Sequence, residues 1–256
     1  MDHLLTLLPL PLLIFAIAVT LMAGFIKGAV GFAMPLVMIS GMSILIEPRL
    51  VVAGVVLPIV MSNALQTARA GWAEAKASLI DFRRYILIVC LCIFATAQFV
   101  TMIPARAMYV VLGVPTFALS MIQLAGVTFR VPPDKRVRFD LLVGGLAGTL
   151  GGLAGTWGPP TVLYLLALNT PKARQLAAQG VVYGLGSVTL LAGHLQSGIL
   201  NRATIPFSAM LLIPAAMGMW AGFWVSDRMD QARFRRATLV VLAVAGLNLI
   251  RKGVMG

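Results

Sequence analysis

The chain alternates between long stretches without charge and short segments rich in basic residues. No Asp, Glu, Lys or Arg occurs in stretches 51–66, 85–103, 107–129, 177–195 and 205–225. A helix needs about 20 mostly apolar residues to cross the hydrocarbon layer of a bilayer. Because that layer contains no water, each crossing segment must satisfy its own backbone hydrogen bonds, which a helix does. The pattern predicts an all-α polytopic membrane protein.

The net charge of +12 has two interpretations. A strongly basic chain can bind nucleic acid, or its basic residues can orient it in a membrane. Here the basic residues flank the apolar stretches, and hydrophobic residues make up 60% of the chain. Membrane orientation is therefore favoured, and no nucleic-acid partner is expected. With segment 69–84 in the cytoplasm, most basic residues fall on that side and both termini face outward.

Ten helical segments, five in each half, follow from this pattern. They are 4–23, 28–46, 50–67, 85–103 and 107–129, then 139–150, 159–169, 177–197, 204–225 and 237–251. Residues 1–130 are predicted to form a first transmembrane repeat, 131–138 a cytoplasmic linker, and 139–256 a second repeat. Because five is odd, the second repeat is inverted. Segment 72–81 is predicted to be a short surface helix.

Two matching glycine–proline motifs indicate that the halves arose by duplication. Residues 24–35 read GFIKGAVGFAMP and residues 148–159 read GTLGGLAGTWGP, so both fit GxxxGxxGxxxP at a spacing of 124. Each glycine weakens a helix by about 1 kcal/mol, and proline removes a backbone donor. Each motif is predicted to break its helix, whereas three other glycine groups are predicted to be packing glycines: 144, 148 and 152, then 180 and 184, then 218 and 222.

The breaks are expected near the membrane midplane. Segment 139–150 is about 18 Å long as a helix, a little over half of the hydrocarbon thickness. Irregular backbone at that depth is tolerated only where it is buried or lines a cavity. Paired broken segments in inverted halves are typical of a transporter's substrate site.

An anionic substrate is expected at the two breaks. Helix N-termini carry unpaired N–H groups and the positive end of the helix dipole, which favour anions. All eight acidic residues are predicted to lie at loops or helix ends, so a cation site lacks its usual ligands. The predicted substrate-binding residues are Lys27, Gly28, Gly31, Pro35, Asn63, Gly152, Gly155, Thr156, Trp157, Gly158, Pro159, Gln179 and Tyr183.

Two titratable residues have alternative interpretations. Lys27 either pairs with the anion at depth or extends to the cytoplasmic surface as an orienting charge. His194 is either an interfacial, hydrogen-bonded histidine or the one candidate proton carrier.

Nothing in the sequence is typical of an enzyme site: GxSxG, HExxH and phosphate-binding loops are absent. Cys90 and Cys92 lie in one apolar segment and are expected to be packing residues, so no disulfide or metal site is predicted. No cofactor is expected. The expected partners are a small anionic substrate and the lipid bilayer, with the choice between monomer and homodimer left open.

In residues 24–36 and 148–166 the chain resembles the TauE/SafE family of membrane transporters, also called the sulfite exporter family. The second stretch is the more characteristic, with GLAGTWGPP followed, after Thr161, by VLYLL. In the first stretch other residues stand among the glycines, and Lys27 lies outside the family pattern. The resemblance implies transport of small anions such as sulfite, sulfonates or sulfoacetate across a bacterial inner membrane.

These features predict a secondary transporter, acting as an exporter, that moves a small organosulfur anion by alternating access. The alternatives are a transporter of other small organic carboxylates and a passive anion channel. An intramembrane enzyme is disfavoured, because paired histidines or carboxylates inside the spans are missing.

Overall fold

The chain is helical throughout the part that the structure describes. A computed structural model describes residues 8–97, 105–154, 157–196 and 198–255, which contain helices and turns but no β-strand. The helices of the first half are α1 Leu10–Val30, α2 Met34–Met42, α3 Pro48–Ala70, α4 Trp72–Asp81, α5 Arg83–Ala97 and α6 Ala105–Leu124. After a 3-10 turn at Pro133–Lys135 come α7 Arg136–Ala154, α8 Gly158–Ala167, α9 Lys172–Gln196, α10 Ile205–Met210, α11 Leu212–Arg228 and α12 Gln231–Met255.

Five helical stretches of the described residues are long and apolar enough to cross a bilayer. They are Leu10–Val30, Leu50–Ala70, Lys172–Gln196, Ile205–Arg228 and Gln231–Met255. Each has at least the roughly 20 residues that a crossing requires. The prediction of an all-α, multi-pass membrane protein is confirmed, and the predicted short helix at 72–81 is present as α4.

The largest departure from the predicted segments lies at the first glycine–proline motif. The sequence predicts that one segment ends at 23 and the next begins at 28, but α1 continues through Lys27 and Gly28 to Val30. Tertiary contacts of Gly24 and Gly28, described below, offset the low helix propensity of glycine. A break across the whole motif is therefore wrong, because the non-helical backbone is confined to residues 31–33.

The lengths of the helices beside the two breaks also differ from the prediction. The helix before the second break, α7, has 19 residues rather than the 12 of segment 139–150, so it is about 28 Å long. The length argument for a break at the midplane no longer applies, and the depth of the break stays a prediction. The helices after the breaks are short, with nine residues in α2 and ten in α8.

Helix starts in the two halves keep the spacing of the motifs. Helix α2 begins at Met34 and α8 at Gly158, and α3 begins at Pro48 and α9 at Lys172. Both pairs of starts are 124 residues apart, like the two GxxxGxxGxxxP motifs. This agreement supports the duplication, whereas the inverted orientation of the second copy stays a prediction.

The chain divides into two compact units that each draw on both halves. The first unit comprises Met1–Gly71 and Tyr183–Met229, and the second comprises Trp72–Val182 and Asp230–Gly256. Consequently the first unit packs α1 from the first half against α11 from the second, and the second unit packs α5 against α7.

In the first unit, α1 and α11 approach until their backbones touch. A Cβ atom added at Gly28 would collide with the carbonyl oxygen of Met219, and one added at Gly222 would collide with that of Phe25. Gly24 and Gly218 are equally close to the opposite backbone. Small residues allow such approach, so the predicted packing role of Gly218 and Gly222 is confirmed. The same prediction is wrong for Gly184, because no described atom lies within 4 Å of a Cβ atom added there.

The core of the first unit is built around the short helix α2. Met34, Met38 and Met42 are fully buried and lie one turn apart on one face of α2. They belong to a cluster that includes Ala23 of α1 and Val55 of α3. The helix that follows the break is therefore enclosed by the helices of its own unit.

The second unit uses the same kind of contact in two places. Gly148 of α7 faces Val89 and Cys92 of α5, with the Val89 carbonyl oxygen nearest to an added Cβ atom. Gly246 of α12 similarly faces the backbone of Phe117 in α6. The pairs α5–α7 and α6–α12 are thus fixed by glycines that admit no larger side chain.

We expect Gly222→Ala to lower the free energy of unfolding by about 1–3 kcal/mol, because the added methyl group must separate two packed backbones. Gly184→Ala is the matched control, since no atom lies within 4 Å of a Cβ atom added there. Thermal unfolding of the two purified variants in detergent measures the difference. Equal midpoints for both variants would contradict the backbone contact between α1 and α11.

Candidate functional site

The first helix break is a short, buried segment with two residues in the left-handed conformation. Gly31 ends α1 with φ 86°, and its N–H donates to the Lys27 carbonyl oxygen at 2.6 Å. Ala33 precedes α2 with φ 75°, a conformation that costs an L-residue about 1–2 kcal/mol. Pro35 lies in the first turn of α2, where its missing N–H breaks no helical hydrogen bond.

Three of the predicted site residues meet beside this break. The side chain of Lys27, in the last turn of α1, is 2% exposed, and its Nζ donates to Asn63 Oδ1 at 2.6 Å. Asn63, on α3, donates through Nδ2 to the carbonyl oxygen of Tyr183 at 3.1 Å. The Tyr183 ring centroid lies 5.6 Å from Lys27 Nζ, within the range of a cation–π contact. The Lys27–Asn63–Tyr183 cluster lies entirely within the first unit.

The charge of Lys27 has no carboxylate partner among the described residues. None of the ion pairs found there includes Lys27, and its neighbours are a neutral amide and an aromatic ring. Among the side chains that the structure describes, Lys27 is also the one buried Lys or Arg. A buried cation without a counter-ion is costly, although the negative end of the α1 dipole offsets part of that cost. The cluster is therefore suited to bind an anion.

Of the two interpretations of Lys27, the structure supports burial. A lysine that extends to the surface would expose its ammonium group, whereas Lys27 is enclosed. Gly28, also predicted to bind substrate, is instead in contact with the backbone of α11. Gly31 and Pro35 flank the break itself.

The second break follows α7 in the second unit. Trp157 is 5% exposed, precedes α8, and packs near Gly151 of α7. Gly158 and Pro159 form the first turn of α8, as the sequence predicts, and Gly152 lies in α7. The predicted site residues Gly155 and Thr156 lie outside the described residues. Trp157 therefore lies directly before α8, with its ring against α7.

Two buried amides on α9 lack hydrogen-bond partners among the described residues. Gln179, a predicted site residue, and Gln175, one turn earlier, are both fully buried. Neither the oxygen nor the nitrogen of either amide has a partner. Leaving such groups unsatisfied costs about 1–3 kcal/mol each, which is typical of positions that meet water or a ligand.

A buried carboxylate in the second unit escaped the sequence prediction. Asp140 is 3% exposed in the second turn of α7 and accepts a hydrogen bond from the Tyr164 hydroxyl of α8 at 2.7 Å. The interpretation of every acidic residue as a loop or end residue missed this burial, because α7 begins at Arg136 rather than at 139. The spacing of Asp140, Gly144 and Gly148 at intervals of four, on the face that packs against α5, was the available signal.

Tyr164 also stacks on a member of a second hydrogen-bonded pair and lines a cavity. Its ring stacks on that of Tyr85 at 5.2 Å between centroids, and Tyr85 shares a hydrogen bond with Thr161 at 2.8 Å. A cavity of about 300 Å³ in the second unit is lined by Tyr164 and by mostly apolar side chains of α6, α7 and α8. The hydrogen bonds of Asp140 and of Tyr85 thus both involve side chains of α8, the helix after the second break.

Comparison with known proteins identifies a family. The model of the family described as Sulfite exporter TauE/SafE matches residues 16–249, which is nearly the whole chain. No curated protein and no solved structure shows significant similarity to it. The matched range includes both breaks and the Lys27–Asn63–Tyr183 cluster.

The conformation of Ala33 can be tested by substitution. We expect Ala33→Gly to raise the free energy of unfolding by about 1 kcal/mol, because glycine adopts a positive φ without steric cost. The control is Ala64→Gly on an exposed position of α3, which should lower it by about 1 kcal/mol. Thermal unfolding in detergent measures whether each variant gains or loses stability. A loss of stability in both variants would contradict the left-handed backbone at Ala33.

Proposed function

Because the chain belongs to the sulfite exporter TauE/SafE family, we propose that it is a secondary transporter of a small organosulfur anion. Sulfite, sulfoacetate and simple sulfonates are the candidate substrates, and export from a bacterial cytoplasm by alternating access is the proposed direction and mechanism. In this proposal the protein lies in the inner membrane with both termini in the periplasm. That orientation keeps most basic residues in the cytoplasm.

The observation that carries the proposal is the buried charge of Lys27. Its ammonium group has Asn63 and the Tyr183 ring as neighbours and no acidic partner among the described residues. An anion that entered the cluster would supply the missing counter-charge. Its oxygens would accept from Lys27 and from the Asn63 amide, and such charge-assisted hydrogen bonds are about twice as strong as neutral ones.

The position of the cluster supports alternating access. Lys27 lies in the last turn of α1, four residues before Gly31, whose left-handed backbone allows the chain to turn into α2. Broken helices beside the substrate are a recurring feature of carriers that rock one group of helices against another. A ligand held at the end of such a helix can stabilise one arrangement of the break over the other.

Reconstitution into proteoliposomes tests the function. We expect saturable uptake of labelled sulfite, with competition by ethanesulfonate and sulfoacetate, and acceleration by the same anion on the opposite side. A passive channel would give flux that does not saturate and shows no such acceleration. Competition by acetate or lactate equal to that by the sulfonates would favour the carboxylate alternative. Absence of flux for every anion, from protein that elutes as a single folded species, would refute the proposal.

Lys27→Met should weaken the apparent affinity for the anion by about 10–100-fold, because a hydrogen bond to a charged group contributes about 1.5–3 kcal/mol. Lys76→Met is the control, since Lys76 is exposed on α4. The concentration dependence of uptake measures both. Unchanged affinity in Lys27→Met would remove Lys27 from the binding site.

Asn63→Asp offers a sharper test, since it preserves the shape of the side chain and places a carboxylate beside Lys27. The resulting internal ion pair would occupy the ammonium group and repel an entering anion. We therefore expect transport to fall at least as far as in Lys27→Met, while the new ion pair offsets the loss of the hydrogen bond from Nδ2 to the Tyr183 carbonyl oxygen. Asn201→Asp, in an exposed turn where Oδ1 accepts from backbone N–H groups, is the control and should transport normally.

A further inference from the structure

Asp140 is the one buried acidic side chain among those that the structure describes. It lies in the second turn of α7, and its Oδ1 accepts from the Tyr164 hydroxyl at 2.7 Å. No ion pair found in the described part of the chain includes Asp140. A buried carboxylate with a neutral donor and no cation carries a desolvation cost.

The titratable and charged groups around Asp140 come from three helices. Tyr164 faces it from α8, Tyr85 faces it from α5, and Arg136 precedes it by one turn on α7. The Arg136 guanidinium is directed elsewhere, since it donates to the Asp81 carbonyl oxygen at 3.2 Å and lies 5.4 Å from the Phe82 ring centroid. Among these groups, Tyr164 is therefore the one that donates a hydrogen bond directly to Asp140.

The Tyr164 hydroxyl can serve Asp140 in either protonation state. When Asp140 is a carboxylate, the hydroxyl donates its hydrogen to Oδ1, as in this structure. When Asp140 takes up a proton, the new carboxyl O–H can donate and the hydroxyl oxygen can accept. One hydrogen bond thus persists while the buried charge is removed, which is the behaviour required of a reversible proton site.

We propose that Asp140 binds a proton that moves together with the transported anion. This inference rests on the proposed function and names its coupling ion. Among the described side chains, one buried cation, Lys27, and one buried anion, Asp140, lack ion partners. When the anion and the proton are both bound, neither charge remains uncompensated, so the loaded carrier can rearrange at the lowest electrostatic cost. Net movement then follows the sum of the anion and proton gradients, so export proceeds when the outward anion gradient exceeds the inward proton gradient.

Tyr164 is a positioning residue in this scheme. Its ring stacks on that of Tyr85, whose hydroxyl shares a hydrogen bond with Thr161. The Thr161 hydroxyl also donates to the Trp157 carbonyl oxygen at 2.7 Å. Trp157 precedes α8 at the second break. Tyr164, which holds the carboxylate, therefore contacts the Trp157 backbone through Tyr85 and Thr161. Through these contacts, protonation of Asp140 would affect the conformation of the break.

Proton binding can be measured without any transport. Infrared difference spectra of the purified full-length protein between acidic and alkaline pH should contain a protonated-carboxyl band that disappears in Asp140→Asn. Asp134→Asn, which changes an exposed acid in the preceding 3-10 turn, is the control and should retain the band. A band of equal size in Asp140→Asn and in the unmodified protein would overturn the proton site, even if anion transport is normal.

Coupling is measured in proteoliposomes with an imposed pH gradient. For each variant, the gradient-driven accumulation of labelled sulfite is divided by its exchange rate at equal pH. We expect this ratio to fall about tenfold or more in Asp140→Asn and to stay unchanged in Asp134→Asn, because exchange needs no net proton movement. An unchanged ratio in Asp140→Asn would overturn the proposal, as would a variant that folds but has lost exchange and accumulation equally. Absence of exchange in the unmodified protein would instead refute the proposed function.

Tyr164→Phe separates positioning from simple packing. Loss of the hydroxyl removes a hydrogen bond that is stronger to the carboxylate than to the protonated acid. The pH midpoint of gradient-driven accumulation should therefore move upward. Tyr109→Phe, on α6, is the control and should leave the midpoint in place. A fall in rate without a shift of the midpoint would show that Tyr164 only fills space.

Discussion

A lysine charge buried without a carboxylate is the constraint from which the rest of the first unit follows. The ammonium group of Lys27 needs polar neighbours, and Asn63 and the ring of Tyr183 supply them without cancelling its charge. A carboxylate in the place of Asn63 would have made a stable internal ion pair and neutralised the charge that could otherwise attract an anion. The neutral partners leave the positive charge uncompensated, at a cost in stability that a bound anion offsets in the proposed function.

Glycine packing fixes the direction in which that charge points. Because α1 and α11 touch through their backbones at Gly28 and Gly222, α1 cannot rotate about its own axis without a collision. The rotation of α1 in turn decides which way the stem of Lys27 leaves the helix. The backbone break at Gly31 follows within one turn, so any movement of α2 relative to α1 begins next to the charged group.

How far the sequence predicts this structure depends on which physical signal each element carries. Long uncharged stretches reveal the membrane helices, and the Gly/Pro content of the motifs reveals that a break exists. The prediction from these glycines places the first break wrongly, because the sequence does not distinguish a glycine that packs against a backbone from one that ends a helix. Gly28 is the first kind and Gly31 the second, and only the approach of α11 distinguishes them.

The site residues divide in the same way. Lys27, Asn63 and Tyr183 could be named as candidates from the sequence because polar side chains in apolar segments are rare. Their mutual contact was not, since it joins three helices that are far apart in the chain. Asp140 was missed because its burial depends on where α7 begins, and helix ends are the least certain part of any sequence-based prediction.

Two isolated buried charges also bear on the choice between a carrier and a channel. A channel conducts best when the permeating ion binds weakly along the pore, since tight binding slows its release. Lys27 and Asp140 are each buried without an ion partner among the described residues, and in the proposed function a bound anion or proton would offset that cost. Such binding free energy is useful when it drives a change between two arrangements of the helices, because a ligand shifts that equilibrium only by its difference in affinity for them. A carrier would benefit from neutral partners around Lys27 and from the Tyr164 hydroxyl, which can donate to Asp140 or accept from it. A channel would be slowed by the same features.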